Sequence, residues 1–451
     1  MYRLKAGFVG FGEVNTPKEV IERKCREAAA ELKKIGLDLL ETPPVSDDPE
    51  GKDCSRAVGE LKKEPFDLLV VCIAGWIPSH AVIKITAEFS HLPMLLWGLT
   101  GYFRDGRLVT TADQAGTTAL RSVFERFNYK YAYVYSSIDS GHPLDKIRNF
   151  ITAVTADVRL KRAKIGMMGY RDMNLYGTMF DGVSLRNVLG IEVEFFEMLE
   201  MTQSIEKIDP SERDTVIQNL LDSWTFEKEA PREALEKGVN LYLAVKKKIL
   251  ERNYEGVSLI DVDGVKKLMS FPPAMVFMLL GDDPGVCTIP ENDSLGAVTQ
   301  LITKYLTGQC AAYMEFYEFM QDRVLMGVPD FVPSEVVDGP VTATATAFGD
   351  FGEGVLNISK VKTGRVTLAR VCPKGDGYAL HCVTGEAVTP RSWEEEGWDP
   401  PAPHLPSLEI ILDTPVEDFA ERVLSQHYII SYGDNTPLFK TFCRLKGMEM
   451  Y

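Results

Sequence analysis

The residues of this chain best suited to chemistry lie between Pro290 and Asp330, in PENDSLGAVTQLITKYLTGQCAAYMEFYEFMQDRVLMGVPD. Glu291 and Asp293 precede a stretch with helical spacing, where acids complement the positive end of a helix dipole. Glu315 and Glu318 fall in an extended aromatic run, YMEFYEF. Side chains three apart on a strand point to opposite faces, so only one of these two faces inward. An inward carboxylate needs a partner or a metal: a salt bridge is one answer, a bound cation the other. Six histidines occur, few enough to weigh singly. His80, His91 and His142 sit near turns and helix ends, where solvated or capping histidines are common. His404 lies in a proline-rich loop, and His381 in strand-like sequence that suits a satisfied core residue. His427, in LSQHYIISYGDN, is flanked by Tyr428 and Tyr432, which points to a semi-buried setting. Taken alone it reads as structural.

Other chemistries find little support. Gly7, Gly10 and Gly12 follow a strand-like run, but Asn15 stands where a dinucleotide loop needs its third glycine. A tight turn is the plainer reading, with the glycines free to line a polar pocket. No G-x-S-x-G or Walker A sequence occurs. The eight cysteines include no C-x-x-C pair and are too sparse for a disulfide scaffold, so they read as reduced and buried.

The elements that must position these residues alternate. Lys5–Gly12, Phe66–Ala74, Pro93–Gly98 and Tyr131–Ser136 read as strands, with helices over Pro17–Lys34 and Gln114–Phe127. Ala163–Gly169, Glu192–Phe196 and Gly256–Val262 repeat the strand theme, with helices over Val183–Leu189, within Glu229–Arg252, and over Leu295–Leu306, the last closed by Gly308. After that the pattern changes to short strands: Val341–Ala347, Val366–Val371, Tyr378–Val383 and Leu408–Leu412, interrupted by a proline-rich acidic loop at Arg391–Pro406 and ending in a helix at Pro437–Gly447. The pattern predicts an α/β protein of two doubly wound domains, residues 1–160 and 161–325, and a C-terminal, mainly antiparallel β domain, residues 326–451. Trp76 and Trp97 follow strand ends, where α/β ligand sites lie; stacking on a sugar and packing in a core or interface are both open to them.

Length and charge agree with that plan and exclude some partners. The 451 residues suit roughly three domains at about 150 each. With 49 basic and 65 acidic residues the net charge is −16, unsuited to nucleic acid or to an anionic membrane surface. The longest apolar stretch, Leu68–Ile77, is about half the length of a membrane span. A cytoplasmic protein is expected.

In order along the chain, these segments resemble the L-fucose isomerase and L-arabinose isomerase family. ENDSLGAVTQLITKYLTG is similar to the family segment in which a glutamate, then an aspartate, opens a helix; AAYMEFYEFMQDRVLMG is similar to the strand with the second acid; SQHYIISYGD is similar to the segment with the ligand histidine. The resemblance implies a metal held by Glu291, Glu315 and His427, with Glu291 and Glu315 also moving protons. GYRDMNLYGT resembles the family's second-domain turn, which would bring Met173, with Trp76, to the sugar pocket. Arabinose isomerases carry a further histidine where this chain has Val328 or Pro329; fucose isomerases manage without it, although their second acid is usually aspartate. Two carboxylates and an imidazole suit Mn2+, with Mg2+ or Co2+ as alternatives. Such a metal polarises the carbonyl and hydroxyl of an open-chain aldose, so that a base can move the C2 proton to C1 through an enediolate. The implied protein is an aldose–ketose isomerase of L-fucose isomerase-like fold: two Rossmann-like domains and a β domain. Its implied state is a homo-oligomer, a hexamer or trimer, with a neighbour closing each active site. L-fucose is the first substrate expected, with D-arabinose, L-arabinose or a C6-modified hexose such as a sulfosugar as alternatives. A non-catalytic sugar-binding protein on the same scaffold is the alternative of another class.

Overall fold

The computed structural model describes residues 3–328, 331–347, 350–390 and 406–451. These form two compact units: one runs to Val158 and includes Lys440–Gly447, the other takes Arg159–Phe439 and Met448–Tyr451.

The first unit is built on strands β1 (Lys5–Phe11), β2 (Asp38–Glu41), β3 (Leu68–Ile73), β4 (Met94–Gly98) and β7 (Tyr131–Tyr135), with β5 (Tyr102–Arg104) and β6 (Arg107–Val109) as a separate hairpin. The five strands pair in parallel in the order β2-β1-β3-β4-β7, so the chain reverses direction across the sheet between β1 and β3. All six residues of β3 (LLVVCI) are buried, as an apolar run without alternation requires. Helix α1 (Lys18–Lys34) packs tightly on β1. A Cβ on Gly10 would stand 2.2 Å from the sulfur of Cys25, and one on Gly12 would stand 2.4 Å from Ile21, so these glycines serve close packing. Lys24 of α1 is buried and satisfied, donating to the Ala74 carbonyl (2.7 Å) and the Thr111 hydroxyl (2.9 Å) and pairing with Asp113.

The second unit has two parts around a shared core. Strands β8 (Lys164–Met168), β9 (Glu192–Phe196), β11 (Gly256–Leu259) and β12 (Cys287–Ile289) form a parallel sheet in the order β12-β11-β8-β9. The two-residue β10 (Thr225–Phe226) pairs instead with β15 (Thr342–Ala347), which continues to β16 (Glu353–Asn357). Strands β13 (Ala312–Phe319), β14 (Arg323–Gly327), β17 (Gly364–Lys374), β18 (Gly377–Val388), β19 (Ser407–Leu412) and β20 (His427–Tyr432) run antiparallel in the order β17-β20-β13-β14-β19-β18. Because β17 also pairs with β18, they close into a six-stranded barrel, to which β21 (Glu449–Met450) adds in parallel along β18. One continuous apolar cluster joins Met168 and Leu259 of the parallel sheet to Met314, Met326, Val366 and Ile410 of the barrel.

Three local expectations change. The β11 strand stops at Leu259, not Val262, and the chain enters a π-helical stretch, Asp261–Met269. The N–H groups of Val262 and Asp263 donate to the Asp172 carboxylate, which takes them away from any strand ladder. A bulge between Phe316 and Glu318 breaks the period-two alternation of β13, so Glu318 regains the face of Glu315, but as an exposed residue. His427 is a fully buried member of β20, not the semi-buried residue its flanking tyrosines suggest. The proline-rich loop expected at Arg391–Pro406, with His404, lies outside the described residues up to position 405.

Candidate active site

The site grows from the C-terminal edge of the parallel sheet of the second unit. There the strand order changes direction between β8 and β11, where α/β sheets open their ligand crevices. Buried carboxylates hold three loops together at this edge. Asp172, in the loop after β8, accepts N–H groups from Met173 (3.0 Å), Val262 (2.9 Å) and Asp263 (2.8 Å). Asp261, after β11, accepts the N–H of Glu291 (2.7 Å), after β12. Glu291 and Asn292 both take left-handed backbone angles, with φ of 61° and 49°. Two successive non-glycine residues in that region store strain of about 1–3 kcal/mol each, held by the surrounding hydrogen bonds.

The two acids before the helix Ser294–Thr307 divide the roles their sequence left open. Asp293 is the helix cap and accepts the Gly296 N–H at 2.9 Å. It is fully buried, is gripped by both terminal nitrogens of Arg370 (2.6 and 2.8 Å), and accepts the Tyr313 hydroxyl at 2.9 Å. Burial raises the Asp293 carboxyl, but Arg370 outweighs it and holds the group below its ordinary value. Glu291 turns the other way, and its buried Oε2 has no hydrogen-bond partner.

The barrel brings the other two residues to this acid. Glu315 of β13 and His427 of β20 are direct cross-strand partners. The His427 Nε2 lies 3.8 Å from the Oε2 of Glu291 and 3.6 Å from that of Glu315. The Tyr313 ring stacks on the imidazole, with centroids 4.4 Å apart and planes inclined by 22°. Burial pushes His427 down to about 3, so its ring is neutral at pH 7. Burial pushes Glu291 up to about 9, aided by Asp261, Glu315, Asp293 and Asp172. A neutral imidazole and two carboxyl groups thus converge at distances too long for hydrogen bonds. Among the described residues no three such side chains stand at full metal-ligand spacing, and this trio is the looser arrangement just given. The orphaned Glu291 oxygen and the acid-rich surroundings fit a divalent cation, whose charge would offset what raises Glu291.

Met173 is in the loop after β8, 37% exposed, with its N–H donated to Asp172 and Asp263. Trp76 belongs to the first unit and is 39% exposed. Its loop is pinned by hydrogen bonds from Trp76 N–H to Thr111 and from Glu13 N–H to the Trp76 carbonyl. Trp97 is fully buried and donates to Ser136 at 2.9 Å, a core role. Val328 is buried, and Pro329 lies outside the described residues. Sequence reasoning missed Asp172, Asp261, Tyr313 and Arg370. Arg370 had a signal: an arginine inside the apolar run VTLARVC demands a buried acid.

No family model matches the chain. The chain is similar to the sulfoquinovose isomerases of Priestia aryabhattai and Priestia megaterium, each 19% identical over 397 residues, covering 86% of this chain and 86% of theirs. A solved ABC transporter solute-binding protein from Burkholderia multivorans aligns over 68% of this chain and 95% of its own at 10% identity. Its TM-score of 0.18 carries no argument. Among the described residues, no helix is long and apolar enough to cross a membrane.

Proposed function

We propose that this chain is a metal-dependent aldose–ketose isomerase acting on a free sugar. The observation that carries the reading is the convergence of Glu291, Glu315 and His427 around a buried carboxylate oxygen with no hydrogen-bond partner. The likeness to sulfoquinovose isomerases over 86% of the chain supports the reaction class. Glu291, Glu315 and His427 would hold the metal, Mn2+ first and Mg2+ or Co2+ next. When bound, the metal supplies a Lewis acid for the sugar's carbonyl and neighbouring hydroxyl oxygens. A carboxylate of the Glu291–Glu315 pair takes the proton from C2 and delivers it to C1. His427, neutral and stacked on Tyr313, would offer a ring-nitrogen lone pair to the metal. Asp261 and Asp172 hold the backbone that aims Glu291. The working form by this reading is a homo-oligomer, a hexamer or trimer, measurable by light scattering.

The test is conversion of an aldose panel with added Mn2+: L-fucose, L-arabinose, D-arabinose, sulfoquinovose and D-glucose. Turnover that needs the metal and is lost in Glu291→Gln and Glu315→Gln supports the reading. Sugar binding with no turnover and no bound metal would replace it with a sugar-binding protein.

A further inference from the structure

The π-helical stretch Asp261–Met269 carries two neighbouring lysines in different surroundings. Lys267 is about half exposed and pairs with Asp263, four residues back, at 2.5 Å. Lys266 is 3% exposed, and its Nζ lies 3.2 Å from the Oδ2 of Asp261, five residues back and itself 1% exposed. The wider turn explains that spacing. The Val265 N–H donates to the Ile260 carbonyl, also five residues back, at 3.0 Å. In an α-helix a residue five along is turned about 140° away; the extra residue in a π turn brings Lys266 back beside Asp261. Gly264 lets this turn press on Ile260, because a Cβ there would stand 2.6 Å from its side chain. A buried ammonium is costly and a π turn is rare, so the pair calls for a use. What Asp261 holds supplies one. Its Oδ1 accepts the Glu291 N–H at 2.7 Å, on a backbone with φ of 61° that has to be held in place. The same stretch donates the Val262 and Asp263 N–H groups to Asp172, and Asp263 accepts the Met173 N–H at 2.8 Å. The loops after β8, β11 and β12 therefore meet here, with Lys266 beneath the last of these links.

We propose that Lys266 is a positioning residue: acting through Asp261, it fixes the backbone of Glu291 and so aims that carboxyl at the metal. The inference rests on the isomerase reading, but its geometry can be tested in the metal-free protein. A lysine present only to balance charge would act in the opposite direction. Removing it would lessen the repulsion felt by Mn2+ and tighten binding, whereas loss of a positioning residue weakens it.

The experiment compares four full-length proteins: wild type, Lys266→Met, Lys266→Met/Asp261→Asn and, as a charge control, Lys267→Met. Hydrogen exchange of the metal-free proteins, followed by mass spectrometry on peptides spanning residues 290–293, should be at least ~10-fold faster at the Glu291 amide in Lys266→Met. Calorimetric titration with Mn2+ should show binding weakened about 10-fold in Lys266→Met and less than about 2-fold in Lys267→Met, whose ion pair is exposed. At saturating Mn2+ the sugar assay should lose about 10-fold in kcat with KM nearly unchanged. The double variant strands no charge, so it should melt near wild type and still bind Mn2+ weakly. If Lys266→Met fails to fold, the double variant carries the same three readings. Mn2+ affinity that returns together with the melting midpoint would make the pair merely structural and overturn the proposal. Unchanged exchange at Glu291 would overturn it too, as would Mn2+ binding that is unchanged or tighter in Lys266→Met. If wild type binds no Mn2+ and converts no aldose, the isomerase reading falls and the exchange measurement alone decides: faster exchange at Glu291 keeps Lys266 as the residue that fixes this loop, and an unchanged rate removes it.

Discussion

Replacing Arg370 with methionine isolates the part of the site that reads as structure. The substitution keeps most of the side-chain volume and removes the guanidinium. Asp293 then stays fully buried with the Tyr313 hydroxyl and the Gly296 N–H as its remaining recorded partners. Breaking a buried ion pair from one side costs about 3–5 kcal/mol, because the stranded charge keeps its desolvation penalty. Unfolding entropy is about 2.1 cal/mol/K per residue, so each kcal/mol moves the midpoint of a unit of roughly 280 residues by about 1.7 °C. Arg370→Met should therefore melt about 5–8 °C below wild type. The double variant Arg370→Met/Asp293→Asn, which leaves no buried charge, should recover at least half of that. The assay is calorimetry of the full chain at neutral pH, with melts repeated at two scan rates. An unchanged midpoint in the single variant would refute the reasoning, and so would a double variant no better than the single.

Three further outcomes follow from the same geometry. Glu291→Gln and Glu315→Gln should each weaken Mn2+ binding by at least about 10-fold and cut turnover far more, read by calorimetric titration and the sugar assay; wild-type values in both would remove the trio from the mechanism. His381 is buried, lies 2.6 Å from the Tyr428 hydroxyl, and is held down to about 4 mainly by burial, with Arg422 adding to it. Its folded value lies below the unfolded one, so its contribution is complete above about pH 6.5 and is lost as the pH falls toward 4, to a limit of about 3 kcal/mol. Denaturant melts of His381→Gln should show a shallower loss of stability across that window, and an unchanged slope would contradict the assignment. Lys24→Met should strand Asp113 in the first unit at a cost of about 3 kcal/mol, and Lys24→Met/Asp113→Asn should regain part of it. Equal melting of the two variants would count against this.

How much of this was legible depended on whether the cause was local. The buried run of β3 and the helix stop at Gly308, with φ of 78°, follow from a few neighbouring residues and could be read directly. Glu291, Glu315 and His427 could be picked out because motif order, not periodicity, singled them out. Their meeting point could not be read, because it depends on cross-strand register between β13 and β20, which are more than 100 residues apart in sequence. Barrel closure is hidden for the same reason: a strand's sequence does not say that it pairs on both edges. The parity of Glu315 and Glu318 failed at a bulge that no residue type announces. The aspartates Asp172 and Asp261 escaped notice because a carboxylate binding backbone N–H groups looks, in sequence, like any loop acid.

The left-handed backbone at Glu291 has a consequence for the stability of the metal-free protein. Glycine would fit that position with less strain, and any neutral side chain would escape the burial penalty and the crowding of acids that drive the carboxyl up to about 9. A lineage under pressure only to fold would drift away from glutamate here, and the drift would make the molecule sturdier. Glu291→Gly should accordingly be more heat-resistant in the metal-free protein. If Glu291 holds the proposed metal, its strained backbone and raised carboxyl are stability given up for that site.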